Sequence, residues 1–160
     1  MSTNNFSAKD IKRTWHLVDA KDQILGRMST GIAKTLAGKD KVDFVPYLDN
    51  GDFVVVINAL KVKVTGKKAQ QKVYFRHSGY PGGDTRETFE KLLARRPEQV
   101  IRHAVRGMLP KNKLGDVMIK KLHVFPGEEH GMERQLGEGK SGKETERQSD
   151  NKEEVAQAVA

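Results

Sequence analysis

The chain has 160 residues, 36% hydrophobic and 31% charged, with no cysteine and a formal net charge of +8. That length fits one domain with a modest core, and the lack of cysteine excludes disulfides and thiolate metal sites. No apolar run approaches the ~18 residues of a membrane span, and the polar opening MSTNNFSAKDIKR lacks a signal-peptide core, so a cytoplasmic protein with no membrane partner is expected.

Trp15, Leu17 and Val18 predict a short strand ending near Asp19. A turn around Gly26 leads into a predicted helix over residues 28–37, where Met28, Ile32 and Leu36 form one apolar stripe and Gly38 is a plausible stop. DFVVVINA, residues 52–59, has no polar alternation in its Phe53 to Ile57 run. That pattern predicts a central parallel strand covered on both faces. Residues 61–64 alternate Lys and Val and read as an exposed hairpin arm or edge, followed by the polar TGKKAQQ.

Val73, Tyr74 and Phe75 read as another strand, followed by HSGYPGG, residues 77–83. Three glycines in seven residues leave main chain bare, and bare N–H groups can converge on an anion. Residues 85–95 are expected to be helical, and Pro97 opens a second helix with Glu98 suiting its positive end. In that helix Ile101, Ala104, Val105 and Met108 follow core spacing, while Arg102 and Arg106 project together from another face. LHVF, residues 122–125, reads as the last strand. Strands alternating with helices predict an α/β sandwich with a mainly parallel sheet.

From Gly131 onward the chain is rich in Gly, Glu, Lys, Gln and Ser and is expected to be a flexible acidic tail, in which EEVAQAVA is too short for a stable helix. The expected organisation is an N-terminal arm over 1–14, a folded domain over 15–130 and the tail over 131–160.

Charge is concentrated in one segment. Residues 60–125 hold 16 Lys/Arg against 5 Asp/Glu, whereas residues 1–59 hold 8 against 7 and residues 126–160 hold 5 against 9. A field gathered on one part of a small domain suits a polyanion better than a small metabolite.

Enzyme readings lack their residues. GRMSTG, residues 26–31, is followed by Ile32 and Ala33 where a phosphate-binding loop requires Lys and Ser/Thr, and no GxGxxG occurs. The histidines show no metal-ligand spacing, and Ser78 beside His77 is adjacency, not nucleophile and base geometry. No catalytic residue, metal, cofactor or small-molecule substrate is expected.

Folded RNA fits better than duplex DNA. No helix carries a major-groove reading array, and 6% aromatic content is too low for an extended stacking platform. The candidate RNA contacts in the first half of the basic segment are Lys67, Lys68, Arg76, His77, Ser78, Gly79, Tyr80, Gly82 and Gly83. Those in the second half are Arg95, Arg96, Arg102, Arg106, Lys111, Asn112, Lys113, Lys120 and Lys121.

WHLVDA, ILGRMST, GDFVVVINA, KVTGKK, HSGYPGG, FEKLLARRPEQVI, VRGMLPKNKLG and KLHVFPGEEH, in that order, closely resemble the bacterial large-subunit ribosomal protein L-thirteen family. The resemblance spans about Phe6 to His130. It implies a three-layer α/β/α sandwich on a four-stranded, mainly parallel sheet and no enzymatic activity. It also implies early binding to large-subunit (23S-type) rRNA during assembly, beside neighbouring large-subunit ribosomal proteins. The family's glycine loop falls on His77, Ser78, Gly79, Gly82 and Gly83, and its basic helix and loop on Arg95, Arg96, Arg106, Lys111 and Asn112. Stacking by Tyr80 rests on the residue reading alone. After His130 the chain departs from the family pattern by running on through its acidic extension. A non-ribosomal RNA-binding or RNA-chaperone module is the first alternative reading, and a nucleotide-dependent enzyme a distant one.

Overall fold

The computed structural model describes residues 11–137. In chain order these form β1 (Trp15–Asp19), α1 (Leu25–Ala37), β2 (Phe53–Ile57), α2 (Lys68–Gln71), β3 (Val73–His77), β4 (Asp84–Thr88), α3 (Phe89–Arg95), α4 (Pro97–Met108), α5 (Lys113–Met118), β5 (Leu122–Val124) and α6 (Glu133–Leu136). The first of two compact units ends at His130, and the described part of the second contains the single helical turn α6. Residues 1–10 of the expected arm, and residues 138–160 of the expected tail with its EEVAQAVA end, lie outside the described residues.

The apolar run without alternation is the middle of the sheet. β2 pairs in parallel with β1 on one side and β5 on the other, in register Trp15↔Phe53 and Val54↔Leu122. Val54, Val55 and Val56 are buried, as expected of a strand covered on both faces. Val54 and Val56 join the main core, with Met28, Ile32 and Leu36 of α1 and Val100, Ile101 and Val105 of α4. The helix begins at Leu25, three residues before its predicted start, because Leu25 and Ser29 extend the same buried stripe. Gly38 ends it with φ 75°, and a Cβ there would press on the backbone of Asn50.

Four expectations change. The parallel sheet among the described residues has three strands, not four, because β3 leaves it to pair antiparallel with β4. The first part of the predicted helix over 85–95 is that strand: Thr85 and Thr88, β-branched, pair with Arg76 and Val73, and the helix begins only at Phe89. Met108 is 46% exposed, because α4 ends there and buried Leu109 and Val100 take up the core positions instead. Residues 61–64 are not a hairpin arm. Buried Val62 anchors them, and the Ile24↔Lys63 bridge prolongs the β1 and β2 pairing beyond its C-terminal end.

Below the sheet's N-terminal end, charged groups hold the chain together. Asp52, 7% exposed in its side chain, accepts from Lys41 Nζ (2.6 Å) and the Thr14 N–H (2.8 Å), with His16 Nε2 at 3.2 Å. Burial raises its pKa, but these hydrogen bonds outweigh burial and hold it below the ordinary value of 3.8.

Candidate nucleic-acid interface

The β3 and β4 hairpin presents the glycine loop. The Ser78 N–H donates to Gly83 O (3.0 Å), the Gly83 N–H to Tyr80 O (2.9 Å) and the Gly79 N–H to His77 Nδ1 (2.9 Å). These three N–H groups are spent on closing the turn, so the loop is less bare than its composition suggests. Gly79 and Gly82 adopt φ of 92° and 72°, where a side chain is strained, and a Cβ on Gly83 would strike Ser78 Oγ and Tyr80 O. The glycines shape the turn. What the turn shows to solvent is Arg76, His77 and Tyr80, the last 76% exposed. In the neutral tautomer His77 uses Nδ1 as acceptor, which leaves Nε2–H as an outward donor.

Helix α4 buries Val100, Ile101 and Val105 and turns Arg102, His103 and Arg106 outward. A cleft of about 480 Å³ follows, lined by His103, Arg106, Pro110, Lys111 and Asp116. Its floor is tightly drawn: Asn112 Oδ1 accepts from the Gly115 N–H (2.9 Å), capping α5, and a Cβ on Gly115 would meet Pro110 O. Asn112 thus builds the loop that holds the exposed Lys111 and Lys113 on either side of it. Arg106 lies 3.4 Å from Asp116, both exposed, an ion pair that water weakens and a phosphate can displace. Burial first, and then the charge of Arg102, push the His123 pKa below 6.5. Hairpin and helix meet through Tyr74, whose ring centre is 5.7 Å from that of His103 and 5.2 Å from Lys72 Nζ.

The predicted residues therefore fall into separate groups. The glycine loop, with Arg76, is one, and Arg102, Arg106, Lys111 and Lys113 around α4 and its following loop are another. Arg95 is bound to Glu87 of β4 (2.7 Å), Arg96 stands exposed between α3 and α4, and Lys67 and Lys68 stand exposed at α2. Lys120 is exposed. Lys121 is a correction: its ammonium is buried and donates to Asp49 Oδ1 (2.5 Å), Gly51 O (2.9 Å) and Leu36 O (3.2 Å). Burial lowers its pKa, with Asp49 opposing, and the side chain is not on the surface. A lysine in a basic run reads as surface, and nothing in KKLHV marks the second as inward.

Three exposed residues were missed. His103 lines the cleft beside Arg106, and Phe75 and Arg86 face solvent from the hairpin. Period-two alternation could have found Phe75, since placing Tyr74 inward places its neighbour outward.

Among the described residues no helix is long and apolar enough to cross a membrane. The family model described as ribosomal protein L13 matches residues 13–131. The large ribosomal subunit protein uL13 of Nitratidesulfovibrio vulgaris strain Hildenborough is 55% identical over 130 residues, covering 81% of this chain and 90% of the relative. The protein of the same name from Chromobacterium violaceum is 53% identical over 130 residues, covering 81% and 92%. That from Prochlorococcus marinus subsp. pastoris is 59% identical over 124 residues, covering 78% and 87%.

Proposed function

The chain belongs to the ribosomal protein L13 family, whose members are structural constituents and not enzymes, and on that premise we propose that it binds large-subunit (23S-type) rRNA and helps the subunit assemble early, in the cytoplasm. The observation that carries the reading is the outward placement of Arg102 and Arg106 on a helix whose other face is locked into the core, followed by exposed Lys111 and Lys113, with Arg106 and Lys111 lining one cleft. Phosphate contacts position a protein on nucleic acid, and side chains fixed by a packed helix position it in one orientation. Arg76, His77 Nε2–H and the exposed hydroxyl of Tyr80 supply further donors at the hairpin turn, with Gly79, Gly82 and Gly83 setting its shape. Lys67, Lys68, Arg95, Arg96 and Lys120 extend the basic surface, and neighbouring large-subunit proteins contact the remaining faces.

The same reading includes the finer architecture. Burial of Val55, on the sheet face turned away from Val54 and Val56, supports a covering layer there and hence the three-layer form. The division into an arm over 1–14, a domain over 15–130 and an acidic extension over 131–160 belongs to it as well. Co-sedimentation after a high-salt wash tests the proposal. Stoichiometric recovery with large subunits is expected. Recovery only in free fractions would favour an RNA-binding or chaperone module that works off the ribosome.

A further inference from the structure

The hairpin has a face of which the donors above use only His77, at its end. Residues of β3 alternate, so Tyr74 turns toward α4 while Val73, Phe75 and His77 share the opposite face, opposite Thr88, Arg86 and Asp84 of β4. Phe75 is 61% exposed and Val73 51%. The Phe75 ring lies beside that of His77, centres 6.4 Å apart and tilted by 30°, and the Arg86 guanidinium carbon stands 5.9 Å from its centre. Arg86 is itself held by Asp84, at 3.6 Å. A cation and an imidazole thus flank an exposed ring face.

We propose that this face is a stacking platform for an unpaired RNA base, with Phe75 as the stacking ring and Arg86 and His77 as the groups that grip the same nucleotide. The inference rests on the RNA-binding reading and deepens it. Two observations choose a base over a protein partner. The apolar area is one ring and one valine, far below the ~800 Å² per partner that a stable protein interface buries, but the size of a single base. The groups against the ring, Arg86 and His77, are a cation and an imidazole, with Asp84 paired to Arg86, and the surrounding segment is the one with 16 Lys/Arg against 5 Asp/Glu, which complements a polyanion. Aromatic and guanidinium planes are the surfaces on which splayed bases stack in single-stranded loops and bulges.

The test compares full-length wild type with Phe75→Ala, Phe75→Leu and Phe75→Trp for binding to in vitro transcribed 23S-type rRNA at two salt concentrations. Loss of one stacked base weakens binding about 5- to 150-fold, so Phe75→Ala and Phe75→Leu are expected to fall in that range while Phe75→Trp binds near wild type. The salt slope should not change, because no phosphate contact is removed. Leucine keeps the bulk without the ring and guards against reading lost packing as lost stacking. Equal binding by wild type and Phe75→Ala would overturn the platform while leaving the rRNA reading intact. Normal binding to bare rRNA with loss of incorporation into large subunits would overturn it too, by making the face a protein contact. A wild type that does not bind the rRNA at all would remove both readings.

Discussion

The base of the parallel sheet and the β3 and β4 hairpin use charge in opposite ways. At the sheet, Lys121 and Lys41 are turned inward onto Asp49 and Asp52, and the charges serve to fix loops against strands. At the hairpin and along α4, Arg76, Arg86, Arg102 and Arg106 point to solvent over a framework held by other residues. The same residue types are buried ion-pair partners in one region and solvent-facing in the other. Burial decides which, since a buried cation must be paired and an exposed one is free to take an external anion.

Lys120 and Lys121 put this contrast to its hardest test. Lys121→Met leaves Asp49 inside with only Arg13, at 3.6 Å, and is expected to lower stability by about 3 kcal/mol, or roughly 6 to 12 °C in melting temperature. Lys120→Met should change stability by less than about 0.5 kcal/mol, as surface substitutions do. Thermal denaturation of both variants would blur the contrast if they melted alike.

The glycine loop is the next place to probe. Gly83→Ala crowds Ser78 and Tyr80 O and should cost about 1 to 3 kcal/mol of local stability, seen as faster hydrogen exchange in β3 and β4 with β1 and β2 protected. Exchange that rose equally in both sheets would tie the hairpin to the core more closely than its separate pairing allows.

A smaller effect separates the regions by pH. The Asp52 pKa is depressed in the folded state, so its contribution to stability is full above the ordinary value of 3.8 and is lost as pH falls through the lowered folded value. Asp52→Asn should therefore flatten the acid side of the melting profile. A variant whose melting temperature still fell by the wild-type amount between pH 5 and pH 2 would place the acid sensitivity elsewhere.

How far the sequence reached follows the same line. The central strand was legible because Phe53 to Ile57 admits no solvent face, and α1 because its stripe recurs every four residues. The stretch at Thr85 was misread because four polar residues carry no apolar period, and only pairing with residues 73–76 makes them a strand. The outward orientation of Arg102 and Arg106 was legible from helical spacing, since the apolar positions around them fix it. Lys121 was not, because its partners Asp49, Gly51 and Leu36 are brought to it by tertiary folding alone. Glycines in HSGYPGG announced a turn, but which N–H groups the turn would consume depended on hydrogen bonds that composition does not encode.

In the proposed RNA-bound state the outward arginines of α4 neutralise RNA phosphates. The direct measurement is the slope of log K against log salt for 23S-type rRNA binding by wild type and by the Arg102→Ala, Arg106→Ala double variant. Alanine is a good helix former and neither side chain is buried, so melting should stay within about 0.5 kcal/mol of wild type. The slope should shrink by about 1 to 2 units, one for each phosphate lost. A double variant with the wild-type slope and affinity would contradict the claim.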